Sequence, residues 1–226
     1  MKKSTFLNKS LKKCNKSHKK TLLFVGSLSF FLSWFILKVV RYHDDIVHYN
    51  TKEANRMNAT KEREGVKTVE YDVKSTMIDV AYWFLLQESM SHKKIQKLCY
   101  YGQAWSCALL DKSIAKNAVF EAWVHGPVNQ EIWAAFRQFG WQPLELTNRD
   151  QVEKRLKSVF NKYQLDVLNA VWETYGDLSA DELESLTHNE LPWSEQRHAL
   201  GEFENCNRVI SEKTMKSYYL SKQING

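Results

Sequence analysis

The chain has 226 residues, of which 43% are hydrophobic and 26% charged. These values suit one globular domain with an appendage and exclude a disordered polymer. Its net charge of +6 is unevenly placed: residues 1–43 hold ten Lys/Arg and no acid, whereas residues 44–226 hold 22 basic against 26 acidic residues, a net of −4. The larger part therefore carries no overall positive field to condense on a phosphate backbone, and nucleic acid is not an expected partner.

In chain order, residues 1–20 form a basic tail with eight lysines. Residues 21–37, TLLFVGSLSFFLSWFIL, are an uncharged run with eleven Leu, Ile, Phe or Val. Snorkelling of Lys38 would extend the run to residue 40, about 30 Å of helix, which predicts a single transmembrane span over 21–40. A cleavable signal peptide fits less well, because the run is followed by Lys38, Val39, Val40 and Arg41 rather than by a small-residue cleavage site. A non-native or non-essential extension is the remaining alternative. The excess of lysines before the span places the tail in the cytoplasm by the positive-inside rule. Residues 41–74, polar and without a helical apolar stripe, read as a linker, and residues 75–226 as the domain.

Within the domain, Thr76 and Asp79 form a capping box ahead of MIDVAYWFLLQESM, which predicts a first, well-buried helix. Ile95, Leu98, Gly102, Trp105 and Leu109 then recur at spacings of 3 and 4, the seam of a central helix. Gly102 in that seam implies close approach of another backbone, with Tyr100, Tyr101 and Trp105 filling the space around it. Residues 118–125 alternate in the manner of a strand. Gly126 and Pro127 end it, and Pro127 suits the first turn of a helix carrying Val128, Ile132, Ala135, Phe136 and Phe139. Further helices are expected over about 149–175, about 180–187 opened by the capping box of Ser179 and Glu182, at Pro192 and Trp193, and over about 212–221 capped by Ser211. The fold class is mainly α, a compact helical domain with one short strand or hairpin.

Signatures of chemistry are sparse. There is no CxxC, P-loop, GxGxxG, HExxH or GxSxG. Cys99 and Cys107, eight apart on one helix, would stand about 12 Å apart, too far for a disulfide. His125 has no second histidine at ligand spacing and reads as a strand-end residue bonding its neighbours. Cys99 with His92 reads as a buried thiol and a bystander rather than nucleophile and base. Lys93, Lys94 and Lys97 read as a solvated helix start, the alternative being a contact for an acidic partner. LSADELESLTHNE lacks a following basic recognition helix, which argues against a helix-turn-helix.

The blocks KKIQKLCYYGQAW (residues 93–105), FEAWVHGPVNQEIW (120–133), YGDLSADELESLTHNELPW (175–193) and ISEKTMKSYY (210–219) resemble those of the SocA-like, or Panacea, antitoxin family. The resemblance runs over residues 77–221 and rests on Leu98, Tyr100, Tyr101, Gly102, Trp105, Pro192 and Trp193 together with the Glu-Ala-Trp and Gly-Pro-Val segments. Asn129 and Gln130 depart from the family's usual residues after Gly-Pro-Val. The resemblance implies a mainly helical, non-enzymatic module that neutralises a cognate toxin by direct protein binding, with no cofactor and no metal; one branch presents its toxin to a protease. Family members begin near the position of Met77, so the tail and span lie outside the pattern. Localisation is then membrane-anchored, in uncertain orientation, or cytoplasmic if the extension is not native. The candidate partner surface is the strand and turn with the helix after it: Trp123, His125, Gly126, Pro127, Val128, Glu131 and Trp133. Large aromatics on a pre-set backbone provide contact area at low entropic cost. The alternative function is a membrane-anchored scaffold or proteolytic adaptor unconnected with a toxin.

Overall fold

A computed structural model describes residues 73–225, with side chains as far as residue 222. The basic tail, the expected span over 21–40 and most of the 41–74 linker lie outside the described residues. Among the described residues, no helix is long and apolar enough to cross a membrane.

The chain enters through Ser75, whose buried hydroxyl donates to the Ile114 carbonyl at 2.9 Å. Helix α1 (Met77–Gln87) follows with the expected capping box, Thr76 accepting from the Asp79 amide while Asp79 accepts from the Thr76 amide. Strand β1 (Met90–Ser91) leads into α2 (His92–Leu110), which Ser91 caps. From Ile95 to Leu109 every residue of α2 is buried, so the helix is enclosed on all sides rather than amphipathic. Its buried glutamine amides are bonded: Gln96 exchanges two hydrogen bonds with the Asn129 backbone, and the Gln103 side chain accepts from the Ile114 amide at 2.9 Å. Neutral amides can be buried in this way because each replaces water with a fixed partner.

Next come strands β2 (Glu121–Trp123) and β3 (Gly126–Val128), helix α3 (Gln130–Phe136) with a 3-10 turn at Arg137–Phe139, and strand β4 (Pro143–Leu144). Helices α4 (Arg149–Val159), α5 (Lys162–Tyr175), α6 (Ala180–His188) and α7 (Leu191–Ser194) follow, with a 3-10 turn at Glu195–Arg197. Helix α8 (Glu212–Asn225) completes the described chain. Helices α1, α5, α6 and α8, together with β3, pack around α2. The mainly helical class expected from the sequence is observed.

Four local expectations are corrected. Residues 118–125 do not form one strand: β2 pairs antiparallel with β3 (Glu121 with Val128, Trp123 with Gly126), so Pro127 stands in a strand, not in the first turn of a helix. The helix waits until Gln130 because Asn129 caps it, accepting from the Ile132 amide at 3.1 Å while its own amide group donates to the carbonyls of Asn117 and Val119. The helix expected over 149–175 is two, broken where Phe160 turns extended and Asn161 opens α5 in a capping box with Gln164. Gly102 is approached by side chains and not by another backbone: a Cβ there would meet Leu168 Cδ2 at 3.2 Å, with Val80 and Phe84 just beyond. The pairing of β1 with β4 had no signature in the sequence.

Candidate functional site

The β2–β3 hairpin is widened by a third segment. The Ala122 amide donates to Arg208 O at 3.0 Å and the Ile210 amide to Phe120 O at 2.8 Å, so that Glu121 faces Val209 across an antiparallel pair. Residues 198–207, which lead into this segment, are shaped by one buried guanidinium. Arg197 donates to the carbonyls of Ala122, Gly201, Glu202 and Glu204 at 2.7–3.2 Å and packs against the Trp193 ring. The Trp193 indole in turn donates to Trp123 O at 3.0 Å, anchoring the hairpin to α7.

Between hairpin and loop lies an open recess of about 820 Å³, walled by Trp123, His125 and Val128 on one side and Phe203, Asn205 and Asn207 on the other. Glu121 sits in its wall, accepting from the Trp123 indole and from Gln130 Nε2, each at 2.7 Å. Phe203, 78% exposed, and Val209, 53% exposed, leave apolar surface facing solvent beside the recess. Exposed large apolar residues gathered around a concavity mark a contact surface more often than isolated ones do.

The underside of the hairpin overturns the reading of Lys97 as part of a solvated helix start. Lys97 is fully buried, its ammonium donates to Pro127 O at 3.2 Å, and burial pushes its pKa down to about 7 despite the attraction of Glu184. Lys93 pairs with Asp181 and Glu184, and Lys94 with Glu88 and the Gly176 carbonyl, so neither is a free solvated charge. His125 reaches Glu184 at 3.1 Å, tying the hairpin turn to α6 rather than to its own neighbours.

A second titratable group, half-buried as a residue, stands against the middle of α2, about one turn beyond Lys97. Glu190 accepts from Tyr219 at 2.7 Å and from Tyr101 at 3.4 Å, and burial raises its carboxyl to about 7. Tyr101 stacks on Tyr175 at 4.0 Å, and the Trp105 indole donates to the Tyr175 hydroxyl at 3.2 Å. This layer joins α2, α5, α7 and α8. It leaves Tyr100, Tyr101 and Trp105 as core, while burial alone holds the Cys99 thiol well above its ordinary range.

Of the seven residues named as a partner surface, Trp123, His125 and Val128 line the recess. Gly126 and Pro127 are buried beneath it, against Lys97 and Thr187. Trp133 backs Trp123 edge-to-face at 5.6 Å and carries Arg137 over its ring. Glu131 is half-buried, its carboxyl raised first by burial and then by Asp79, and it does not line the recess. The sequence reading missed Phe203, Arg197 and Val209; Phe203, in a Gly-Glu-Phe-Glu-Asn stretch, was the one signal available, an aromatic in a polar loop. Among the described residues, no group of three His, Cys, Asp or Glu is placed to hold a metal ion.

Fold and recess together define a helical domain built on an enclosed central helix, with an aromatic-walled concavity beside a small sheet. Residues 95–194 match the family described as antitoxin SocA-like, Panacea domain. The match takes in α2 through α7, including the hairpin, whereas α1, the 198–210 wall of the recess and α8 fall outside it. No curated protein and no solved structure matches the chain.

Proposed function

We propose that this domain is an antitoxin-type module that neutralises a cognate toxin by direct protein binding, not by catalysis, and that the toxin contacts the recess beside the hairpin. The observation that carries the proposal is the match of residues 95–194 to an antitoxin family. The recess supplies the physical means: Trp123 and Phe203 offer aromatic area, Trp193 and Arg197 hold the walls in place, and little ordering remains to be done on binding. We further propose that residues 21–40 tether the domain to a membrane, on the strength of their uncharged apolar run.

The test is co-expression with the product of an adjacent gene. Full-length protein should relieve that product's toxicity and co-purify with it. Trp123→Ala and Phe203→Ser should each weaken capture at least tenfold while the melting transition stays cooperative, since hot-spot aromatics contribute about 2 kcal/mol or more. Membrane fractionation should recover the full chain in the pellet, and a variant lacking residues 21–40 in the supernatant. If no neighbour is toxic and no partner is captured, the antitoxin reading falls.

A further inference from the structure

Glu121, half-buried in the wall of the recess, is a carboxylate without a counter-ion. Its Oε2 accepts from the Trp123 indole and its Oε1 from Gln130 Nε2, both neutral donors, and no Lys, Arg or His among the described residues pairs with it. Each oxygen keeps a second lone pair, since a carboxylate accepts at about four sites. Arg208, whose backbone adjoins the hairpin, turns its guanidinium to Gln196 O at 2.9 Å, and His125, which also lines the recess, reaches Glu184 at 3.1 Å. Three tryptophans are joined around the hairpin: Trp133 meets Trp123 edge-to-face, and the Trp193 indole donates to Trp123 O. Trp133 carries the Arg137 guanidinium 4.6 Å from its ring, and Trp193 that of Arg197 at 5.3 Å. Among the described residues Trp123 carries no cation, and it is the one of the three that lines the recess.

We infer that the recess receives an arginine side chain of the partner protein, whose guanidinium pairs with Glu121 and stacks on Trp123. This deepens the proposed function and rests on the recess being the toxin's contact surface. Closing a partner over the recess takes Glu121 out of water, and an ionised carboxylate covered without a cation is strongly unfavourable. An apolar or acidic occupant is therefore selected against, and a cation is required. A guanidinium suits the site better than an ammonium on two counts. Its planar fork reaches the free lone pairs of both carboxylate oxygens, and its flat face lies over an indole, as those of Arg137 and Arg197 already do on Trp133 and Trp193. Phe203 on the facing wall offers apolar surface to the side-chain stem, and Asn205 and Asn207 offer amide oxygens to the N–H groups that Glu121 leaves over. Trp193 and Arg197 fix this geometry before any partner arrives, so little ordering is needed on binding.

The experiment uses the full chain in mild detergent, with isotope-labelled tryptophan, and the peptide acetyl-Gly-Leu-Arg-Leu-Gly-amide. Binding is read by nuclear magnetic resonance at the indole N–H of Trp123, which donates to Glu121 and is assigned by its loss in Trp123→Phe. The peptide should shift that resonance saturably. Replacing its arginine by citrulline, which keeps the shape and removes the charge, should weaken binding at least tenfold, and replacing it by lysine at least threefold. Glu121→Gln should lose at least tenfold in affinity with the melting temperature kept. Should that variant misfold, the citrulline comparison on the native chain makes the same test from the ligand side. Equal binding by the citrulline or the lysine peptide, undiminished binding by a folded Glu121→Gln, or no saturable shift at Trp123 overturns the inference. With the toxin in hand, capture that is unchanged in Glu121→Gln overturns this inference alone, whereas arginine binding without any toxin rescue overturns the antitoxin reading alone.

Discussion

Gly126 combines a positive φ of 92° with a site where a Cβ would lie 2.8 Å from Lys97 Cε and 2.9 Å from Thr187 Oγ1. Gly126→Ala therefore meets both backbone strain and a clash, and should destabilise the domain by about 2 kcal/mol or more in urea unfolding. Lys97, directly beneath, makes a pH prediction. Its pKa falls from 10.5 unfolded to about 7 folded, so between those values the unfolded chain binds a proton that the folded one does not. Stability should rise with pH across about 7 to 10.5, and the full cost of charging the amine should be present below 7. Lys97→Met should remove that rise, as urea midpoints at pH 6, 7.5 and 9 would show; Glu184, Lys93 and His188 remain in the comparison as the neighbouring charges. None of this was legible from the Lys-Lys-x-x-Lys pattern. A buried lysine in a helix start looks like a solvated one until the hairpin is known to fold over it.

Helix ends were more legible than helix middles, because caps are local chemistry. Thr76, Ser179 and Ser211 each accept from the amide three residues on, as the residue types predicted. The division between α4 and α5 went unread because Asn161 and Gln164 look like ordinary helix-surface residues until their side chains are seen turning back on the backbone. Elements are also joined by single interactions. Asp79 of α1, 1% exposed at its side chain, takes two bonds from the Arg155 guanidinium of α4, at 2.5 and 3.1 Å. Arg155→Ala leaves that carboxylate with its Thr76 bonds alone and should cost about 1–3 kcal/mol. Gly102→Leu, at the crossing of α1, α2 and α5, should cost a further about 1–3 kcal/mol by overpacking against Leu168, outweighing the roughly 1 kcal/mol gained in helix propensity. A neutral melt for that variant would show that α5 yields.

At the scale of the whole molecule, the buried core draws on residues from Met77 to Tyr219, a contiguous body for which none of the contacts described needs residues 1–72. A fragment starting at Val73 should therefore melt cooperatively by circular dichroism with full helical signal; a molten fragment would mean that the preceding chain packs as part of the fold. Two buried titratable groups flank the central helix and oppose each other. Glu190, raised to about 7, contributes stability that is full below its unfolded pKa and lost as pH rises through 7, whereas Lys97 contributes more as pH rises above 7. Measured against a Lys97→Met, Glu190→Gln double variant, the native chain should be relatively weakest near pH 7. The overall class was legible because helical periodicity and caps are written within each segment. Half of the recess was legible too, through Trp123, His125 and Val128. The other wall was not, since residues 198–210 reach the hairpin by bonds between backbone groups far apart in sequence, which no local pattern encodes.

The Arg197 guanidinium holds its loop through carbonyl oxygens alone: those of Gly201, Glu202 and Glu204, and of Ala122 across the recess. Every residue type presents the same carbonyl, so the mounting is indifferent to the side chains it carries. The identities at positions 202, 203 and 205 are thereby released from any duty to the fold. One wall of the recess can be rewritten residue by residue while its contour stays put, and a saturation library there should be rich in folded members with altered partner preference, whereas one at Arg197 should yield few folded members at all.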